Sequence, residues 1–348
     1  MNNTKRTELS EIGEFGLIDR LKAYLPAKSD KIIKSIGDDA AVIKNSDDSV
    51  QLISTDLLME GIHFDLAYTP LKHLGYKAIA VNVSDIAAMY GTPSHVVVGL
   101  ALSNRFSVEA IEELYAGMKL ACDTYSVDLV GGDTTSSRSG LGISVTVVGT
   151  AKADEVVYRS GAQVNDLICV TGDLGAAFMG LQLLEREKQV YLANPEMQPE
   201  LTDKEYIIEC QLKPEARMDV VKSLKSLGLK PTSMIDISDG LASELMHICK
   251  ESNVGAYIYE DKLPIDQMAF DTAREFDINP LTIMLNGGED YELLFTIPQS
   301  DYEKIRNHPD ISVIGYIKSA EEGVHVYTKG DNLVPVTAQG WNHFKSSK

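Results

Sequence analysis

Six times along this chain, acidic residues stand where an apolar run ends or a helix begins. The stretches are IGDDAAVI (36–43), ISTDLLMEGIHF (53–64), NVSDIA (82–87), VGGDTTSS (130–137), IDISDG (235–240) and NGGEDYEL (286–293). Taken singly, a Gly-Asp-Asp sequence is ordinary turn chemistry. Taken together, with Ser and Thr beside the acids, the six stretches constrain the fold. Gathered in one cleft, bare carboxylates repel one another and rise in pKa. Hard cations remove that conflict, and carboxylate and hydroxyl oxygens suit Mg²⁺ rather than zinc. In NVSDIA, Asn82 and Asp85 stand at i and i+3, hence on one helix face.

The apolar runs between these stretches alternate in period. EFGLIDRLKAYL has apolar residues at helical spacing, AAVIK and VQLISTDLL read as strands, and TPLKHLGYKAIAVNVSDIAAMYG is a long helical pattern bounded by Pro70 and Gly91. HVVVGLALS is a strand. A helix follows with Ser107 at its N-cap, and then the strands DLVGG and LGISVTVVGTA. The second half repeats the rhythm with DLICVTG, DLGAAFMGLQLL, RMDVVKSLKSLG, SMIDISDGLASELMHICKESN, YELLFTI and ISVIGYI. At 348 residues, this order predicts an α/β protein of two domains, 1–150 and 151–348, each with mixed strands and helices. Residues 185–213, charged and carrying two prolines, read as an irregular surface excursion. VNVSDIAAM and IDISDGLASEL share an apolar-polar-apolar-Ser-Asp pattern, a hint that the halves are related.

A net charge of −19 argues against a nucleic-acid binder, yet admits an anionic substrate if metal ions supply positive charge. The four cysteines, Cys122, Cys169, Cys210 and Cys249, show no C-x-x-C spacing and read as buried apolar residues in a reducing compartment. The first residues lack the apolar core of a secretory signal, and no apolar run is long enough to span a membrane, so a cytoplasmic protein is expected. No H-x-x-x-H pair, no G-x-x-x-x-G-K-[ST] loop, no protein-kinase set and no G-x-S-x-G elbow occurs. TGDLGAAFMG (171–180) follows a strand without G-x-G-x-x-G spacing and reads as helix–strand packing rather than a nucleotide loop. Multiple Mg²⁺ sites point to phosphoryl chemistry, where metals neutralise developing charge.

GEFGLIDRL, IGDDAAVI, STDLLMEGIHF, KAIAVNVSDIAAMYGTP, VGGDTTSS, RSGAQVNDLICVTGDLG, IDISDGLASEL and NGGEDYELLF occur in that order, and together they resemble the thiamine-monophosphate kinase family. The wider superfamily includes aminoimidazole ribonucleotide synthetase, selenophosphate synthetase and a hydrogenase-maturation carbamoyl dehydratase. The resemblance runs from about residue 13 to the C-terminus, excluding 185–205. It implies an ATP cleft between two related α/β domains, several Mg²⁺ ions and a homodimer formed through the N-terminal sheets. The implied activity is phosphorylation of thiamine monophosphate by ATP, in line, with no covalent intermediate. By the same resemblance Asp39, Ser54, Thr55, Asp56, Asp85, Asp133, Asp236 and Asp239 are metal ligands. Tyr115, Gly132, Asp133, Arg159 and Ser238 contact ATP. His63, Glu289 and Trp341 serve the acceptor. Asp38 is left to the turn, and Asp290 and Glu292 stay outside the site.

On the residues alone, other roles are open. Arg159 reads as a solvated surface charge, His63 as a partly buried histidine, Tyr115 as core and Trp341 as an anchor of the C-terminal tail. Rival reactions of the superfamily lack their cysteines: none lies in the first 37 residues or in the terminal GWNHFKSSK. A non-catalytic nucleotide-binding scaffold is the remaining alternative.

Overall fold

The computed structural model describes residues 7–46 and 48–337, without the side chains of residues 14 and 15. The first helix, α1 (Leu9–Tyr24), is kinked at Gly13, whose φ of 66° is left-handed. Then come β1 (Ile32–Lys34), β2 (Ala41–Lys44), β3 (Ser49–Met59), α2 (Leu71–Ala88), β4 (Thr92–Leu102), α3 (Val108–Tyr125), β5 (Asp128–Ser136) and β6 (Gly142–Lys152). Ser107 caps α3 as its sequence predicts, its Oγ accepting the Ala110 N–H at 3.3 Å. These strands form one sheet in the order β1-β2-β3-β6-β4-β5, antiparallel except for β4 with β5.

The second unit comprises β7 (Leu167–Thr171), α4 (Ala176–Ala193), α5 (Glu205–Leu212), α6 (Met218–Ser226), β8 (Ser233–Asp236), α7 (Leu241–Ser252) and β9 (Val254–Tyr259). It continues with α8 (Gln267–Glu275), α9 (Pro280–Asn286), β10 (Leu293–Ile297), β11 (Ile311–Ser319), β12 (Val324–Tyr327) and β13 (Leu333–Pro335). Its sheet runs β13-β12-β9-β11-β7-β10-β8, with β9 and β12 parallel. The chain is thus two α/β units, each built on a mixed sheet.

Even-numbered residues of β3 (Val50, Leu52, Leu58) face the helices and are buried, whereas Thr55 and Leu57 face outward. On the covered side lies α2, buried over most of its circumference, as an interior helix must be. One hydrophobic core joins the units. Leu52, Val83 and Val145 belong to the same cluster as Cys169, Met234 and Phe295.

Two expectations are corrected. Residues 185–213 are largely helical: α4 runs on to Ala193, and α5 packs against it so closely that a Cβ on Gly180 would sit 2.0 Å from the Ile207 carbonyl. Glu187 apart, the charges that suggested irregularity are at least partly exposed, and both prolines fall between the two helices. The shared Ser-Asp pattern is not a structural repeat either. Ser84 and Asp85 lie inside α2, whereas Ser238 and Asp239 form a turn, because Gly240 at φ 121° leaves helical geometry.

Candidate active site

β2, α2 and β8 aim three carboxylates at one point. Asp39 in the turn before β2, Asp85 on α2 and Asp236 at the end of β8 have carboxylate oxygens within 4.8 Å of one another. Each is fixed by a specific neighbour. Arg159 donates to Asp39 Oδ1 through Nε at 3.1 Å and through a terminal nitrogen at 2.5 Å. Ser54 Oγ donates to Asp85 Oδ2 at 2.6 Å, and Ser84 Oγ to Asp236 Oδ2 at 2.6 Å. Asp39 Oδ2 is buried and accepts no hydrogen bond.

The electrostatics follow from this crowding. Burial, opposed by Arg159 and reinforced by Asp236 and Asp38, pushes the Asp39 carboxyl up to about 7. Burial pushes Asp56 up to about 6. Burial also raises Asp236 to about 6, against the Ser84 hydrogen bond and Arg159. Asp85 is driven well above the carboxylate range by burial and then by Asp56, Asp236 and Asp39. Four buried carboxylates, three of them raised further by their neighbours, with the Arg159 guanidinium on Asp39, form a donor set suited to a hard divalent cation.

Asp56 stands beside this cluster, and its backbone N–H is held by Asn82 Oδ1 at 3.1 Å. Asn82 and Asp85 therefore share the face of α2 turned to β3, as their spacing predicts. Thr55 does not join them. It points to the opposite face of β3, and its hydroxyl donates to the Val145 carbonyl at 3.0 Å. Asp38, the turn residue, makes two ties of its own. Its Oδ1 accepts the Arg159 backbone N–H at 3.1 Å, and its Oδ2 lies 3.1 Å from Lys34 Nζ. The two adjacent aspartates thus divide their labour, Asp38 placing the Arg159 backbone and Asp39 taking its guanidinium.

Asp133 and Gly132 lie on the edge strand β5, three strands from β3, or about 14 Å at the usual strand spacing. The register Asp133–Gly99–Ser144–Leu57 places Asp133 on the outward face with Thr55, away from Asp56. A Cβ on Gly132 would sit 1.9 Å from the Val98 carbonyl, so glycine is needed there for strand pairing alone. Tyr115 is half-buried in α3 and lines an apolar pocket of about 400 Å³ with Leu102, Phe106 and Ile111.

On the second unit, Ser238 is exposed and its carbonyl accepts the Glu289 N–H at 2.7 Å. Glu289, at a left-handed φ of 66°, is pinned from both carboxylate oxygens. Oε1 lies 2.8 Å from Lys77 Nζ on α2, and Oε2 accepts from Gln211 Nε2 at 2.8 Å. His63 Nδ1 accepts the Met59 N–H at 3.0 Å, which puts the ring proton on Nε2 in the neutral form. Trp341 lies outside the described residues. The TGDLGAAFMG loop is filled from within: Asp290 accepts from the Gly175 and Ala177 N–H groups at 2.8 and 3.4 Å. That leaves the start of α4 satisfied by the chain's own carboxylate.

Three contributors escaped the sequence reading. Ser84 was visible only as half of the Ser-Asp pattern. Lys77 is a lone cation in the apolar run YKAIAV, which is a signal that it must find a partner. Glu244, 2% exposed on α7, accepts the Asp239 N–H through Oε1 at 3.0 Å. Burial and then Asp239 hold its carboxyl well above the ordinary range.

Comparison with known proteins is decisive at this point. Residues 37–151 match the AIR synthase related protein N-terminal domain, and residues 163–327 the corresponding C-terminal domain. The thiamine-monophosphate kinase of Aquifex aeolicus is 37% identical over 97% of this chain and 99% of its own length. The chain belongs to the thiamine-monophosphate kinase family. The Bacillus subtilis member is 35% identical over 89% of this chain and 93% of its own. The solved structure of AaThiL complexed with AMPPCP and TMP superposes with a TM-score of 0.83 at 35% identity, covering 98% of this chain and 100% of that one. Among the described residues, no helix is long and apolar enough to cross a membrane.

Proposed function

We propose that this chain transfers the terminal phosphoryl group of ATP to the phosphate of thiamine monophosphate, giving thiamine diphosphate and ADP. The observation that carries the reading is the meeting of Asp39, Asp85 and Asp236, drawn from both units, within 4.8 Å. It is joined to near-full-length relatedness to kinases of this name. The donor set fits Mg²⁺: it is all oxygen, it is buried, and Asp39 Oδ2 has no protein partner. Bound Mg²⁺ supplies charge neutralisation along the phosphate oxygens.

The chain's own residues do the rest. Asp39, Asp56, Asp85 and Asp236 hold the cations, with Asp239 at the margin of the cleft; Asp133, on the outward face of β5, stands across the sheet from them. Ser54 and Ser84 fix two of those carboxylates by hydrogen bonds of 2.6 Å each, so their orientation precedes binding. Arg159 and Ser238 serve the ATP phosphates, and the Tyr115 pocket suits an adenine ring. Glu289, His63 and Trp341 are the residues assigned to the acceptor. Of the proposed ligands, Ser54 contributes by orienting Asp85. Thr55 has no hydroxyl in the cleft and contributes through its backbone or not at all. The acceptor is a phosphate oxygen, already a competent nucleophile, so catalysis reduces to positioning and charge stabilisation, without a general base.

The finer assignments belong to the same proposal. A homodimer through the first sheet is supported by β5, exposed at every residue, and by exposed Leu57, Val97, Leu129 and Val130. It is also supported by the distance of Asp133 from the rest of the cleft. A cytoplasmic setting suits four free cysteines.

The test is ATP turnover measured against thiamine monophosphate, free thiamine and aminoimidazole precursors, with products identified by mass. Thiamine diphosphate formed from the monophosphate alone is the expected result. Turnover only with another acceptor would overturn the reading.

A further inference from the structure

We infer that Glu244 is a positioning residue of the cleft: its carboxyl pins the Ser238–Gly240 turn and thereby sets where Asp239 and Ser238 stand. The inference rests on the phosphoryl-transfer reading above and assigns to it a residue that acts through the backbone of Asp239.

β8 ends at Asp236, and α7 begins at Leu241. The four residues between must pass from sheet to helix while presenting Ser238 and Asp239. Gly240 makes the passage at φ 121° and ψ 149°, a combination that side-chain-bearing residues avoid. A Cβ there would also lie 3.0 Å from Asn286 Cα. The backbone is therefore tightly confined at its helix end. Upstream, the Ile237 N–H donates to the Glu292 carbonyl at 2.8 Å and the Ile237 carbonyl accepts the Tyr291 N–H at 2.9 Å, and one hydrogen bond each holds Ser238 and Asp239. The Ser238 carbonyl accepts from the Glu289 N–H at 2.7 Å, and Glu244 Oε1 accepts the Asp239 N–H at 3.0 Å. The tie to Ser238 is backbone to backbone. The tie to Asp239 depends on one side chain, which reaches back from the first turn of α7.

A helix cap alone does not account for this arrangement. Capping an N-terminus is ordinarily done by a Ser, Thr, Asp or Asn at the N-cap, and in the capping box a Glu or Gln at the third helical position reaches back to the N-cap N–H. Here the N-cap is Gly240, without a side chain, and Glu244, the fourth helical residue, reaches past the N-cap to the N–H of Asp239. Glu244 is 2% exposed, and its second oxygen, Oε2, is buried without a hydrogen-bond partner. Among the described residues, no lysine, arginine or histidine forms an ion pair with it. Burying a carboxyl with one oxygen unsatisfied is unfavourable. What the arrangement gains is a rigid turn at a place where Asp239 must hold its direction against nearby Asp236.

The distinguishing consequence is that the acceptor oxygen matters and the charge does not. Glu244→Gln keeps an oxygen for the Asp239 N–H. Glu244→Leu keeps the bulk and removes the acceptor. Loss of such an orienting contact lowers metal affinity by about tenfold or more. For Glu244→Leu we expect about a tenfold rise in the Mg²⁺ concentration giving half-maximal rate and a matching rise in KM for ATP. KM for thiamine monophosphate stays the same, and Glu244→Gln restores the wild-type values. Mn²⁺ binding by calorimetry without nucleotide provides a second readout and is expected to weaken in parallel. Asp239→Asn is the comparator.

Unchanged metal dependence in a folded Glu244→Leu protein overturns the inference. So does a Glu244→Gln protein as impaired as the Leu variant, because the charge itself would then be in use. If Asp239→Asn is impaired while Glu244→Leu is not, only this inference fails. If Asp239→Asn has no effect, the reading of Asp239 fails with it. Failure of both Glu244→Leu and Glu244→Ala to fold assigns the residue to stability alone and overturns the inference as well.

Discussion

Replacing Asp236 by Asn is expected to make the metal-free protein more stable at pH 8 while abolishing its activity. Asp236 is fully enclosed, accepts from Ser84 Oγ at 2.6 Å and faces Asp39, Asp56 and Asp85. Its carboxyl is raised from 3.8 to about 6. The folded state therefore binds more protons than the unfolded chain between those values, and stability falls as pH rises through that window. A shift of about two units corresponds to roughly 3 kcal/mol, fully expressed above pH 6 and absent below pH 4. Asn carries no charge and keeps an oxygen for Ser84, so it removes that penalty at nearly constant volume. The difference between variant and wild type should thus grow from near zero at pH 4 to roughly 3 kcal/mol at pH 8, or about 5 °C in melting temperature for a chain of this size.

The assay is thermal unfolding from pH 4 to 8, in chelator and in excess Mg²⁺. Magnesium should stabilise the wild type far more than the variant, because binding to the native state alone raises stability by mass action. An Asp236→Asn protein less stable than wild type at pH 8 in chelator would refute the electrostatic reasoning. Equal Mg²⁺ stabilisation of both proteins would refute the metal assignment.

Two further outcomes follow from the same geometry. Asp85→Asn, at the centre of the carboxylate group, should lower kcat strongly with little change in either KM, checked by steady-state kinetics at saturating Mg²⁺; a normal kcat would remove Asp85 from the site. Lys77→Met leaves Glu289 without its cation and should destabilise the fold by about 3–5 kcal/mol, whereas Lys77→Met with Glu289→Leu should recover much of that stability yet bind thiamine monophosphate poorly, measured by denaturant unfolding and by KM.

Much of this cleft was legible because its parts lie in short, strongly patterned segments. Period-2 and period-3.6 runs marked β3, α2, β4 and α3, and the acids at their ends marked Asp39, Asp56, Asp85 and Asp236. What was hidden depends on direction and distance. Thr55 sits between Ser54 and Asp56 in sequence, and strand alternation alone sends it to the other face. Asp133 carries the same strand-end signature as Asp56, but sheet order places it across the sheet on the outward side. Such order is decided by non-local pairing that no window of residues contains. The 185–213 segment misled for a different reason. Its charges are real, but apart from the buried Glu187 they lie on the outer sides of two helices whose inner faces carry Leu183, Leu184, Ile207 and Leu212. Lys77 and Glu289 are 212 positions apart, and only the structure makes them partners.

The position of α2 explains why one helix supplies so many of these groups. Buried on nearly all sides, it touches both sheets, and each polar residue on it must find a partner there. Asn82 and Asp85 turn to β3, where they meet the Asp56 N–H and the Ser54 hydroxyl. Lys77 and Ser84 turn to the second unit, where they meet Glu289 and Asp236. Tyr76 donates to Glu215 at 2.5 Å, and Tyr90, just past the helix, donates to the Leu229 carbonyl at 2.7 Å. The helix is thus at once the wall of the cleft and the joint between the units. With a shared hydrophobic core behind it, the relative placement of Asp39, Asp85 and Asp236 is set by packing before any ligand arrives. A site built this way would meet the proposed cations with little reorganisation, which is the condition under which fixed carboxylates and dipoles contribute most to phosphoryl transfer.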